Sequence, residues 1–473
     1  MPNRIIRTAM LLAGCSLLAV SSAAAQEKAA PKMLERTTSS AAARTALSGA
    51  LAEITNIGGG RRIDPRLKEV IAADPGFALG RAFYGGWATL TAAERNAELT
   101  QALKDAAAGT TAELTFIAAL REWRAGRAAV ARDLVDVVLK LTPDDPDVHW
   151  FRLLIAANAD EALRIGEAAV SRFPDYGPIY NIYAYRLNTA GRTDEAYQML
   201  QKYVSLVPDH PNPHDSYAEI LQLNGRYDEA ETHYRQALEI DPQADVAHEG
   251  LAEVAVLRGN YAGARPHLMQ SLGMATAPAR RLVLQREIAS TYLYEGKIKD
   301  AKAALTSVIK EAESNSLPAF ADKRALAFLT FFEGNKAEAA RQFAASQPPT
   351  PAPTLPLSEV ILHALLEHPA EVATAVAAME ANAANAPDVM DTQQAMHAAR
   401  AIGALMKNDL SAARAAHAQV TTPSYKALSA AFLVRAANKA GDKAAATTAM
   451  ADVEAFQTLN LNAGFARLIA KRK

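Results

Sequence analysis

One spacing limits what this chain can fold into more than any other: a small turn residue followed five residues later by alanine. It occurs at Gly126/Ala131, Ala157/Ala162, Gly191/Ala196, Gly225/Ala230, Gly259/Ala264, Gly296/Ala301 and Gly334/Ala339. Successive alanines are 31, 34, 34, 34, 37 and 38 residues apart. Pro143, Pro174, Pro208 and Pro242 each lie twelve residues after the alanine, and Ala119, Ala184, Ala218, Ala252, Ala289 and Ala327 each lie seven before the turn, with Trp150 taking that place once. A period of this length marks stacked supersecondary units that bury their apolar faces against their neighbours. The glycine ends a first helix, where a left-handed cap needs no Cβ. The alanines fall where paired helices cross closely, and the proline stops the second helix. Acids such as Asp194-Glu195 and Asp228-Glu229 open the second helices, where the helix dipole favours negative charge.

Composition agrees with close-packed helices. Half of the 473 residues are apolar, alanine dominates that half, and 6% are aromatic. Formal charge is -1, from 50 basic and 51 acidic residues, so there is no basic face for nucleic acid and no polybasic run for anionic lipid.

The unit from Pro211 to Ala244 carries Tyr217-Ala218, Leu221, Gly225, Tyr227, Ala230, Tyr234, Ala237 and Pro242. In that register it resembles the tetratricopeptide repeat, a 34-residue helix-turn-helix unit. Units at 177–210 and 245–278 match less fully, and the unit at 143–176 departs at Trp150. The run Pro211-Asn212-Pro213-His214-Asp215-Ser216-Tyr217-Ala218-Glu219 resembles one found in exported bacterial proteins with such repeats. The resemblance implies an all-α fold, an α-solenoid (superhelix) of repeats over 112–345, and a non-catalytic scaffold that binds protein on the concave face lined by first helices. The family's groove positions fall on Asn181, Tyr185 and Asn188, then Asp215, Glu219 and Gln222, then Glu249 and Glu253. These groups are mostly acids and amides. A clamp for a peptide C-terminal carboxylate needs lysine and arginine there, so the expected partner is a neutral or basic protein segment. The competing reading is an acidic face that simply solvates the surface.

The N-terminus reads as an export signal: Arg4 and Arg7, an apolar run from Thr8 to Val20, then Ala23 and Ala25 in an A-x-A pattern that places cleavage after Ala25. The run is too short for a good membrane span, and no later stretch is long and apolar enough to be one. The chain is expected to be exported, periplasmic, with a mature charge of about -3. The alternative is a lipoprotein: Leu12-Ala13-Gly14-Cys15 resembles a lipoprotein box, and acylation of Cys15, the sole cysteine, would tether the protein to a membrane. Residues 26–40 read as a flexible lead and 41–111 as a diverged helical region in which Gly58-Gly59-Gly60 breaks one helix, Asp64-Pro65 opens another, and Asp74-Pro75 and Gly85-Gly86 are punctuation. The proline-rich stretch 346–357 reads as a linker. Over 358–473 the pairs Asn408/Ala413 and Gly441/Ala446 resume the period, for about three further hairpins.

No motif for metal hydrolysis, thiol redox, acyl transfer or phosphate binding is present, so no cofactor is expected. Asp144-Asp145-Pro146-Asp147 lacks the glycine and terminal glutamate of a calcium loop and reads as a helix-capping turn. His214 and His248 occupy equivalent positions one repeat apart, as do His233 and His267, giving two short histidine ladders. These support a second reading, a ligand or metal receptor, against which stands ordinary half-buried packing. A third reading is an enzyme whose site is assembled from scattered residues. Among Tyr176, Tyr180, Tyr183 and Tyr185, the register puts Tyr183 in the core, Tyr176 between units and Tyr185 in the groove.

Overall fold

The computed structural model describes residues 30–56, 59–346, 356–386 and 389–472. The segment read as an export signal, Cys15, and the prolines from Pro348 to Pro353 lie outside the described residues. Within them the fold is all-α, with twenty-five α-helices, one short 3-10 turn and no strand. The helices pair into the hairpins of an α-solenoid, and among the described residues no helix is long and apolar enough to cross a membrane. The chain divides into two compact units at Pro242/Gln243.

Unit one contains α1 (Ala41–Thr55), α2 (Gly59–Ala73), α3 (Ala78–Trp87), α4 (Ala92–Asp105), α5 (Thr111–Arg124), α6 (Ala128–Leu141), α7 (Pro146–Leu154), α8 (Ala159–Arg172), α9 (Gly177–Thr189), α10 (Thr193–Leu206), α11 (Asn212–Leu223) and α12 (Tyr227–Ile240). Unit two contains α13 (Asp245–Leu257), α14 (Tyr261–Met274), α15 (Pro278–Tyr294), α16 (Ile298–Ser314), α17 (Phe320–Phe332), α18 (Lys336–Ala345), α19 (Pro356–Leu366), α20 (Pro369–Asn385), α21 (Met390–Met406), α22 (Leu410–His417), α23 (Pro423–Ala440), α24 (Lys443–Ala455) and α25 (Leu461–Lys471). In both, odd-numbered helices open a hairpin and even-numbered ones close it; α25 has no partner of its own.

The repeat markers do the work their chemistry suggests. Gly126, Gly191, Gly225, Gly259, Gly296, Gly334 and Gly441 all have φ between 70° and 96°, a region that disfavours a side chain. The alanines five residues on, from Ala131 to Ala446, are buried, as are Ala119, Ala184, Ala218, Ala252, Ala289 and Ala327. Ala157 differs from the other turns: it has no left-handed backbone, and the Asn158 side chain caps α8 instead. One further unit carries the pattern without its usual letters. Glu367 sits in the left-handed region at φ 63°, and Val372, five residues later, is buried against Val360 and its neighbours in the same apolar core.

Three sequence expectations in the first hundred residues are corrected. The lead read as flexible is held from Lys32 onward: Lys32 and Leu34 donate backbone N–H groups to Asp144 and Asp145, and Thr37 donates to Glu113. Carboxylates at the start of α7 and α5 thus satisfy an extended stretch of backbone that has no ladder of its own. The second helix begins at Gly59 and runs through Pro65. Gly85-Gly86 lie inside α3, and Gly85, where a Cβ would stand 3.0 Å from Leu99, permits close approach of α4 rather than a turn.

Each unit also closes on itself over long sequence separations. In unit one, Tyr203 on α10 donates its hydroxyl to Asn56 at 2.7 Å. Arg62 bridges Glu53 and Asp241 at 2.7 and 3.0 Å, and His210 reaches Glu53 at 3.2 Å. Burial would raise Glu53, but the hydrogen bonds from His210 and Arg62 outweigh it and hold the carboxyl at about 2. In unit two, α25 packs on α15, α23 and α24. Four hairpin steps separate α15 from α23; at roughly 8–10 Å per packed helix a straight stack would hold them over 30 Å apart. An eleven-residue helix spans about 16 Å, so the hairpins curve around α25.

Candidate functional site

In unit one the groove positions lie on α9 and α11, neighbouring first helices. They are tied to each other across the 34-residue register. Tyr185 donates its hydroxyl to Glu219 at 2.5 Å, and Asn224 donates to Asn188 at 2.8 Å. Thr193 also donates to Asn188, and Tyr234 donates to Gln222 at 3.1 Å. Burial, then the charge of Glu219, pushes the Tyr185 hydroxyl well above its ordinary range, so it remains a donor at any physiological pH. Asp215 is half-buried in the first turn of α11 and Glu219 is exposed. Asn181 is fully buried and neither atom of its carboxamide finds a hydrogen-bond partner; it lies beneath the face, where a partner segment does not reach it.

The other tyrosines of the cluster are structural. Tyr183 fills a notch over Gly166, whose Cβ would overlap its ring. Tyr180 donates to the Pro174 carbonyl at 3.1 Å, and Tyr176 donates to Asp147.

In unit two Glu249 and the exposed Glu253 lie on α13. Two residues that the register does not find join them: Arg280, which pairs with Glu249, and Glu287, both on α15. Burial raises Glu249 above its ordinary range, with Arg280 opposing. Burial, then the negative charge of Glu249, raises Glu287 to about 7, and Arg280 only partly compensates. α15 has 17 residues where α13 has 13, so counting by 34 misplaces its faces. A second carboxylate close to an ion pair adds negative charge that a further cation would offset.

The histidines form pairs within each repeat, not ladders between repeats. His214 Nδ1 lies 2.9 Å from His233 Nδ1, and His248 Nδ1 lies 3.3 Å from His267 Nδ1. Nineteen residues separate each pair, the step from a first helix to the second helix of the same hairpin. In such a contact one ring donates and the other accepts, so both cannot be charged. Tyr217 stacks on His233 at 4.3 Å, Tyr197 lies 5.9 Å from Tyr217, and the Arg226 guanidinium covers Tyr197. Among the described residues no group of three or more histidine, cysteine or acidic side chains is arranged to hold a metal ion.

One constellation has the composition of a hydrolytic triad. His417 Nδ1 lies 2.8 Å from Ser429 Oγ, and its Nε2 lies 3.0 Å from Asp452, which Lys426 also holds at 3.1 Å. Ser429 is fully buried in the middle of α23, within hydrogen-bond distance of the Tyr425 carbonyl. A nucleophile must reach its substrate. Here the histidine fastens α22 to α23 and α24.

The tetratricopeptide-repeat family model matches residues 209–277. No curated protein matches the chain significantly. Among solved structures, similar chains include a thermophilic tetratricopeptide-repeat protein from Thermus thermophilus at 21% identity, over 39% of this chain and 100% of that one, with a TM-score of 0.34. PilW, a type IV pilus biogenesis factor, is 19% identical over 42% of this chain and 94% of its own, with a TM-score of 0.36. A tetratricopeptide-repeat protein from Parabacteroides merdae is 19% identical over 50% of this chain and 93% of its own, with a TM-score of 0.37. Left-handed glycines, crossing alanines and terminating prolines recur in one register, and the family model matches where that register is cleanest: the chain carries tetratricopeptide repeats.

Proposed function

We propose that the chain is an exported, non-catalytic scaffold that holds a neutral or basic segment of a protein partner against its first helices. The fold supports a protein-interaction scaffold. The observation that favours a basic segment is the Glu249–Arg280 ion pair with the half-buried Glu287 near enough to feel both charges. A lysine or arginine brought by a partner would satisfy the second carboxylate through a charge-assisted hydrogen bond. Glu219, exposed and oriented by the Tyr185 hydroxyl, offers unit one the same chemistry.

Binding of lysine-rich and glutamate-rich dodecapeptides to the mature protein tests this. The lysine-rich peptide binds more tightly, and its affinity falls with added salt. Reversing Glu219 and Glu253 to lysine weakens it about tenfold. Glu287 is charged above pH 7 and neutral below, so affinity falls from pH 8 to pH 6, and Glu287→Gln flattens that slope. Unchanged affinity and unchanged salt dependence in the double reversal would remove the groove assignment.

Export rests on the N-terminal sequence. Intact mass of the protein recovered from the cell envelope should match a chain beginning at Gln26. A mass retaining Cys15 with added acyl chains would favour the lipoprotein form, and an uncut chain in the cytoplasm would reject export.

A further inference from the structure

Unit two encloses a cavity of about 230 Å³ where α17, α19, α21, α23 and α25 converge. Its long walls are Phe328 and Phe332 of α17, Ile361 and Leu365 of α19, and Phe465 and Ile469 of α25. Arg324, Phe328 and Phe332 recur every fourth residue along α17, so the cavity is a slot that follows that helix for about 12 Å. Its volume holds ~8 non-hydrogen atoms if each takes the ~30 Å³ of a liquid water.

Ser358 and Asn462 lie on the lining of the slot, and Tyr425 gives it a ring while donating its hydroxyl to Asp391 at 2.9 Å. Arg324 is the cation. It is half-buried, and its hydrogen bond to the Ser346 carbonyl is a long one of 3.4 Å. Asp322, two residues away, is taken by a two-point pair with Arg286 at 2.7 and 2.8 Å. Burial lowers Arg324 below the ordinary guanidinium range, with the charges of Glu359 and Asp322 opposing. A half-desolvated guanidinium beside aromatic and aliphatic walls, in a slot of mixed polarity, is what a monoanion with a short hydrocarbon tail would complete.

We propose that this slot binds a small amphiphilic carboxylate, with its tail along the wall formed by Phe328, Phe332, Ile361 and Ile469 and its head on Arg324. The proposal goes beyond partner binding and does not depend on it: none of these residues belongs to the carboxylate face of α13 and α15.

Ligand-observed NMR and calorimetry on the full mature chain test it with hexanoate, hexan-1-ol, hexylamine and acetate as probes. Hexanoate should bind, at least tenfold more tightly than the alcohol, the amine or acetate. Arg324→Gln should weaken hexanoate at least tenfold and leave hexan-1-ol unchanged. Ala395→Met, which places a longer side chain in the slot, should abolish both and stands in if Arg324→Gln does not fold. Equal binding of hexanoate and hexylamine, no binding of hexanoate at millimolar concentration, or hexanoate binding unaltered in Ala395→Met would each overturn the assignment.

Discussion

At the scale of single residues, the paired histidines make unit one sensitive to acid. Burial, then the proximity of His214, lowers His233 to about 4, and burial lowers His214 as well. Around the pair stand Tyr217 on α11, Glu229 and Glu239 on α12, and the Tyr197–Arg226 stack beyond. A base whose folded pKa is depressed resists protonation in the native state. The unfolded chain therefore takes up the proton first, and stability falls as pH drops from about 6.5 towards 4. Partial exposure screens the effect, to on the order of 1–2 kcal/mol. His233→Phe keeps an aromatic ring against Tyr217 and removes the titration. Urea unfolding at pH 7 and pH 4.5 should show the wild type losing about 1–2 kcal/mol more than the variant. Equal losses would mean that the pair is not a linked titrating unit.

At the scale of elements, the sequence was legible where one residue type has one physical task. A glycine at φ 75°, as at Gly225, or an alanine at a helix crossing, as at Ala218, leaves a letter that recurs at fixed spacing. The unit at Glu367/Val372 escaped because a glutamate can be forced into the left-handed region and a valine can fill a wider crossing. The helix from Thr91 is legible in the sequence, but Gly85 reads falsely as punctuation because it serves a helix contact, and glycine in a sequence does not say which of its two uses applies. The candidate face was half legible. Glu219, Glu249 and Glu253 follow the register, while Arg280 and Glu287 sit on the lengthened α15 and come into view only with coordinates. The histidines mislead for a related reason. Equal spacing between repeats suggests stacking between repeats, yet the nearest neighbour of a first helix is the second helix of its own hairpin, as His214 and His233 show.

At the scale of the whole molecule, each unit combines short-range repeats with a long-range closure, and the closures carry no sequence period. A simple solenoid is held by nearest-neighbour interfaces, so a local defect stays local. Unit two departs from that rule through α25, which is fixed on several first helices at once. Phe465 packs 5.5 Å from Phe328, Arg467 lies over Tyr294 and donates to Tyr261 at 2.8 Å, and Thr458 exchanges hydrogen bonds with the Tyr294 hydroxyl. Gly464 marks the tightest approach: a Cβ there would stand 2.5 Å from Leu293 Cβ. Gly464→Val therefore cannot be accommodated without lifting α25 from α15, at a cost on the order of 1–3 kcal/mol from overpacking. The substitution favours helix in isolation, since glycine is the poorer helix former, so any loss reads the lost docking and not a weakened helix. Hydrogen exchange should show protection falling in 282–294, 320–332 and 461–471 together, with 177–240 unchanged. Loss confined to 461–471 would mean that α25 rides on a stack that is stable without it, and the closure would then be an ornament of the repeat array instead of its clasp.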